Sequence, residues 1–161
     1  MTERWVINAS PLILLRKSGQ LDWLPKLGRV VVPAAVATEI AAGAQDDPAR
    51  NWLASEAGRS LIQADMPVTD DLRAWDLGAG ETAVLAWAIQ HPEHEAILDD
   101  AAARACASVY HLRYRGTLSL VALAKKRGFI SACRPVFSTL KSAGLFVTDH
   151  LIEQVARAAN E

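Results

Sequence analysis

Five oxygen-bearing side chains occupy positions from which they could act together on a cation. They are Asn8, Glu39, Glu81, Asp99 and Asp100. Carboxylates gathered at one place repel one another unless a cation neutralises them, and hard oxygen ligands of this kind suit Mg²⁺ or Mn²⁺. The residue types therefore indicate a divalent-metal site, provided that the fold brings these separated positions together.

Three of these side chains directly follow predicted strands. Asn8 comes after a β-branched apolar run typical of a buried strand, and Asp99 and Asp100 follow the short apolar strand at residues 96–98. In an α/β protein, the carboxyl ends of parallel strands border the crevice in which ligands bind. We therefore expect the three side chains to lie at one edge of a sheet.

The two glutamates lie on predicted helices. Glu39 falls about one and a half turns into the helix that follows the predicted strand at residues 29–32. Glu81 opens a segment of strong helix formers after the glycine-rich turn at residues 78–80. This layout predicts that both carboxylates reach the same edge of the sheet.

Each side chain alone also has a simpler explanation. Asp100 is a good helix cap, and Glu81 is favourable at a helix N-terminus through the helix dipole. Glu39 would be an ordinary solvated helix residue, and Asn8 would cap the turn after the first strand. Their joint placement is what favours the metal site.

Predicted strands and helices alternate along almost the whole chain, which is typical of right-handed βαβ units. We predict a single α/β domain over residues 1–161, with a central parallel sheet covered by helices on both faces. At the element ends, Ser10 is expected to cap a helix that begins at Pro11, and Thr117 to cap a helix that Gly128 ends.

Five motifs occur in an order that resembles a known family. They are Val6-Ile7-Asn8-Ala9-Ser10-Pro11-Leu12-Ile13, Val32-Pro33 with Val36 and Glu39, Leu77-Gly78-Ala79-Gly80-Glu81, Ile97-Leu98-Asp99-Asp100 with Arg104, and Gly116-Thr117-Leu118. Together they are similar to the PIN-domain superfamily, the nuclease fold of VapC-type toxins, and to its predicted nucleic-acid-binding branch. The resemblance covers nearly the whole chain and implies a three-layer α/β/α fold.

The resemblance also implies a function, a metal ligand set and partners. It implies an endoribonuclease in which Mg²⁺ or Mn²⁺ activates water for attack on a phosphodiester. The implied metal ligands are Asn8, Glu39, Glu81 and Asp100. Asp99 is the alternative to Asp100 if the motif is aligned one residue earlier. Ser10 and Thr117 match hydroxyl positions near the site. An RNA substrate, a small antitoxin protein and a homodimer are the implied partners.

Asn8 departs from the family pattern, because most members have an aspartate there. An amide oxygen can still bind a cation but supplies no charge, so metal affinity and water activation should fall. The alternative hypothesis is therefore a catalytically silent module that binds nucleic acid or a protein. A purely structural subunit is a third hypothesis, for which the sequence offers no specific feature.

The overall composition gives little electrostatic guidance. The chain has 17 basic and 18 acidic residues, so no net charge attracts it to nucleic acid or to membranes. The sequence shows neither a signal peptide nor a bilayer-length apolar segment, which predicts a soluble cytoplasmic protein.

The densest basic region predicts a solvated face, with a phosphate-binding patch as the alternative. Its members are Arg113, Arg115, Lys125, Lys126 and Arg127.

Overall fold

A computed structural model describes residues 2–161 and shows one sheet of five strands, all parallel. The strands are β1 Glu3–Ile7, β2 Gly28–Pro33, β3 Ile62–Gln63, β4 Glu95–Ile97 and β5 Tyr114–Arg115. Their spatial order is β3-β2-β1-β4-β5. Helices flank the sheet, so the predicted three-layer α/β/α architecture is confirmed.

Eleven helices connect and cover the strands within the described residues. They are α1 Ala9–Lys17, α2 Leu24–Leu27, α3 Ala34–Ala41, α4 Pro48–Ala54, α5 Glu56–Arg59, α6 Asp70–Arg73, α7 Ala79–Gln90, α8 Ala101–Val109, α9 Thr117–Lys126, α10 Arg134–Ser142 and α11 Asp149–Ala158. The longest, α7, is apolar on nearly all sides and buries every residue from 83 to 88. A helix of that composition belongs in the interior.

The central strand β1 forms the middle of the core. Trp5, Val6 and Ile7 are fully buried, because both faces of a parallel sheet are covered and each side chain of such a strand meets apolar neighbours. The polar residue Asn8 follows at once, and its backbone N–H donates to the Ile97 carbonyl oxygen at 3.2 Å. The sheet ladder therefore holds Asn8 against the end of β4.

The topology places a crevice beside Asn8. From β1 the chain continues to β2 on one side, whereas from β4 it continues to β5 on the other. The carboxyl ends of β1 and β4 therefore form the topological switch point, where open α/β sheets bind their ligands. Asn8 and Asp99 follow these two strands.

Two predicted helix caps are wrong. Helix α1 begins at Ala9 with Asn8 in the cap position, so Ser10 lies within its first turn. Pro11 is tolerated there because the N–H groups of the first turn have no partner inside the helix. Likewise α9 begins at Thr117 itself, because Gly116 holds the extended cap conformation.

The segment 65–79 combines loops with the short helix α6, whose start is capped by the Thr69 hydroxyl accepting from the Leu72 N–H. Helix α10 begins at Arg134, with Pro135 in its first turn. Within residues 2–161, no helix combines the length and hydropathy that crossing a bilayer requires.

Candidate functional site

Asn8 has a buried side-chain oxygen without a partner. The residue is 4% exposed, and its Oδ1 accepts no hydrogen bond from the described residues. An unsatisfied buried polar atom costs roughly 1–3 kcal/mol, and native proteins rarely leave one without a reason. The oxygen therefore indicates a binding place for a cation, or for a water molecule that donates a hydrogen bond to it.

Glu39 brings a carboxylate oxygen to the same place. A Cβ atom built on Gly80 would lie 2.5 Å from Glu39 Oε2 and 3.0 Å from Asn8 Oδ1. The sum of these distances limits the separation of the two oxygens to about 5.5 Å. Gly80 thus leaves a space that any larger residue would fill, between an amide oxygen and a carboxylate oxygen.

The sequence gives only a weak signal for Gly80. Glycine inside a helix costs about 1 kcal/mol relative to alanine, and Gly80 is the second residue of α7. That cost is tolerated where backbone must approach other groups closely. A glycine at this point suggests close approach, but only the fold identifies Asn8 and Glu39 as the approaching groups.

Glu81 supplies the second carboxylate. It is half-buried in the first turn of α7, and its Oε2 bends back toward Gly78. Desolvation of the Glu39 carboxyl group raises its pKa, and the nearby negative charge of Glu81 raises it further. Such mutual repulsion is relieved when a divalent cation lies between the carboxylates.

Asp99 is fixed at the next strand end by Thr117. The Thr117 backbone N–H donates to Asp99 Oδ1 at 2.9 Å, and the Thr117 hydroxyl donates to Oδ2 at 2.5 Å. Thr117 is fully buried, and the Arg104 guanidinium lies 3.7 Å from Asp99 Oδ1. A carboxylate has about four lone-pair directions, so Asp99 retains acceptor capacity toward the crevice.

Two other predicted site residues have different surroundings. Asp100 is exposed, and its Oδ2 accepts from the Ala103 N–H at 2.9 Å as the cap of α8. Ser10 is exposed in the first turn of α1. Asp100 caps α8 and Asp99 is held by Thr117; that Asp99 rather than Asp100 is the site residue at this strand end is our hypothesis.

A hard divalent cation fits the oxygen donors of Asn8, Glu39 and Glu81. Among residues 2–161, no three Asp, Glu, His or Cys side chains converge closely enough to hold a metal ion. Because Asn8 supplies an amide, a cation held by these three residues would meet only two carboxylates. Two negative charges bind a divalent ion more weakly than three do.

Most of the predicted basic patch already has protein partners. Arg113 donates to the Glu93 carbonyl oxygen, and Arg115 donates to Glu95 Oε1 at 2.8 Å. Lys125 pairs with Glu161, and Arg127 with Glu3. Arg115, Lys125 and Arg127 are thus ion-paired, whereas Arg113 and Lys126 have no ion-pair partner among the described residues. These contacts favour a solvated, internally neutralised face over a phosphate-binding patch.

Fold and site together define an α/β domain with an acidic crevice at the carboxyl edge of a parallel sheet. A family model described as a PIN domain matches residues 4–161. The chain therefore belongs to the PIN-domain family, as its motifs predicted. None of the curated proteins searched matches the chain.

Replacing Gly80 with alanine should separate metal binding from stability. The new Cβ would displace the Glu39 carboxylate, so we expect Mn²⁺ affinity to fall about 10- to 100-fold in calorimetric titrations. The gain in helix propensity should keep the free energy of unfolding in EDTA within about 1 kcal/mol of the wild type. Thr38→Ala, on the exposed face of α3, is the matched control. Unchanged Mn²⁺ binding by Gly80→Ala would contradict the assignment of this space.

The raised pKa of Glu39 predicts a pH-dependent effect of Glu39→Gln. Because the folded protein holds this proton more tightly than the unfolded chain does, the metal-free wild type loses stability as the pH rises from 4.5 through the raised pKa. The glutamine variant lacks this loss. Urea unfolding in EDTA should therefore show that Glu39→Gln becomes more stable relative to wild type at pH 7 than below pH 4.5. If the difference in unfolding free energy between Glu39→Gln and wild type were independent of pH, the desolvation of Glu39 and its repulsion by Glu81 would be contradicted.

Proposed function

We propose that this PIN-domain protein is a Mg²⁺- or Mn²⁺-dependent endoribonuclease. The observation that carries the proposal is the unpartnered Oδ1 of buried Asn8, which faces the same space as Glu39 Oε2 at the switch point of the sheet. In the proposal, Asn8, Glu39 and Glu81 hold the cation. When bound, such an ion supplies Lewis-acid stabilisation of phosphoryl oxygens and lowers the pKa of water.

The chain's own residues have distinct tasks in this proposal. Glu39 and Glu81 supply the negative charge that would hold the cation, and the repulsion from Glu81 that contributes to the raised pKa of Glu39 would be relieved by that cation. Asp99, held by both polar groups of Thr117, is kept in one orientation and would receive a hydrogen bond from substrate or water. Arg104 presents a guanidinium beside it that suits a phosphodiester oxygen.

The biological setting in the proposal follows from the family resemblance. We propose that the protein is the toxin of a toxin–antitoxin pair, acts in the cytoplasm on RNA, and forms a homodimer. A small antitoxin protein encoded by the neighbouring reading frame would support this setting. The antitoxin would have to block a site that otherwise cleaves cellular RNA.

The second candidate function is a catalytically silent module that binds nucleic acid or a protein. Asn8 favours it specifically, because the amide removes one negative charge from the metal site. The absence of three converging Asp, Glu, His or Cys side chains in residues 2–161 also favours it. In that case the crevice would bind a ligand without cleaving it.

Removal of Glu81's charge tests the nuclease directly. With Mn²⁺, we expect wild type to cleave single-stranded RNA, and Glu81→Gln and Asp99→Asn to lower the rate by about 10²-fold or more, because each removes a charge from the crevice. Asp100→Asn is the matched control, since asparagine caps a helix as well as aspartate does. Equal residual cleavage by wild type and Glu81→Gln would show that any activity is a contaminant.

Replacing Asn8 with aspartate discriminates the two candidates. The third carboxylate should raise Mn²⁺ affinity by about tenfold, and in EDTA it should lower the free energy of unfolding by about 1–3 kcal/mol because a buried charge is left unpaired. If wild type is a nuclease, Asn8→Asp cleaves faster at limiting Mn²⁺. If neither protein cleaves RNA although Asn8→Asp binds Mn²⁺, the silent module is supported.

A further inference from the structure

A pocket lined by Asp99 and Arg104 has the composition of a nucleotide subsite. Its volume is about 380 Å³, within the range of small-ligand pockets. Its lining includes Asp99, the apolar segment 145–147 and two residues of α11. Asp99 follows β4, and the neighbouring strand β1 leads to Asn8, so the pocket lies at the same edge of the sheet as the proposed metal site.

The polar wall of the pocket presents an oriented guanidinium. Arg104 Nε donates to the Leu98 carbonyl oxygen at 2.8 Å, and its guanidinium carbon lies 5.6 Å from the centre of the Tyr114 ring. Its ion pair with Asp99, at 3.7 Å, is longer than a hydrogen bond. Arginine carries five N–H donors, so most of those of Arg104 remain for a phosphate or the polar edge of a base.

The second arginine in the pocket is already neutralised. Arg115 Nε donates to Glu95 Oε1 at 2.8 Å, and its Nη1 donates to the Ser119 hydroxyl at 3.0 Å. The same Glu95 oxygen accepts from Trp5 Nε1. Glu95 therefore adds no free negative charge to the pocket, and Arg104 is the cation that a ligand would meet.

Phe146 is the most unusual apolar residue of the pocket wall. It is 103% exposed, whereas its neighbour Leu145 is buried. Leu145 is seated in the core, and Phe146 next to it faces outward. This packing requires a side chain at position 146 that faces outward, but it does not require an aromatic one. A free aromatic ring beside a pocket is a surface on which a nucleic-acid base can stack.

We propose that this pocket binds one nucleotide of single-stranded RNA next to the cleaved phosphodiester, with its base stacked on Phe146. The inference rests on the proposed RNA substrate. Arg104 contacts the phosphate, and Tyr114 supports the guanidinium from behind. An occupant with both an aromatic face and a negative charge matches this wall, whereas an apolar peptide would leave the Arg104 donors unpaired.

Binding without cleavage tests the subsite separately from the nuclease. In EDTA, fluorescence anisotropy measures the affinity for a labelled single-stranded oligoadenylate and for a strand of equal length that lacks bases. Phe146→Ala should weaken oligoadenylate binding by about tenfold, since one stacked base contributes roughly 1–3 kcal/mol. It should leave the abasic strand unaffected, and Phe146→Tyr should retain wild-type binding. Phe129→Ala, which removes another exposed ring (40% exposed), is the matched control.

The outcomes separate the two proposals. Base-dependent binding that is lost in Phe146→Ala supports the subsite even if wild type with Mn²⁺ cleaves no RNA. Cleavage by wild type together with unchanged oligoadenylate binding by Phe146→Ala overturns the subsite and leaves the nuclease standing. The subsite is also overturned if wild type binds neither strand, if both strands weaken equally, or if Phe146→Ala only converts a dimer into monomers in sedimentation.

Discussion

The central constraint in this molecule is a polar cluster at the end of its most buried strand. Three fully buried apolar residues of β1 lead directly to Asn8, whose Oδ1 is shielded from solvent and unpartnered among the described residues. Across the small space over Gly80 lies the carboxylate of Glu39, which is itself repelled by Glu81. Such an arrangement is unfavourable on its own, and binding of a cation would relieve it.

The topology explains why this cluster forms where it does. The chain leaves β1 and β4 toward opposite sides of the sheet, which opens a crevice between the helices that follow. The buried α7 then carries Gly80 and Glu81 to the crevice, and α3 carries Glu39. Asp99 is positioned differently, by the N-terminus of α9 through Thr117. The Asn8–Glu39–Glu81 oxygen cluster and the Asp99 region are thus built by different elements at one edge of the sheet.

The sequence was sufficient for the fold class and for the position of Asn8, because a β-branched run followed by a polar residue defines a strand end without knowledge of the tertiary structure. The sequence also indicated Asp100 as a helix cap, and Asp100 does cap α8. Which of Asp99 and Asp100 serves the site stays a prediction, because adjacent residues with the same chemistry follow one strand end. The close approach at Gly80 and the exposure of Phe146 arise from packing between distant segments. Local pattern does not encode such contacts.

The most direct test of the account is the anomalous diffraction of crystals soaked in Mn²⁺. The account predicts a peak between Asn8 Oδ1, Glu39 and Glu81, in the space that Gly80 leaves open, and the loss of that peak in crystals of Glu39→Gln. A peak located elsewhere, or no peak in wild-type crystals at saturating Mn²⁺, would contradict the proposal that this amide and these carboxylates form a metal site.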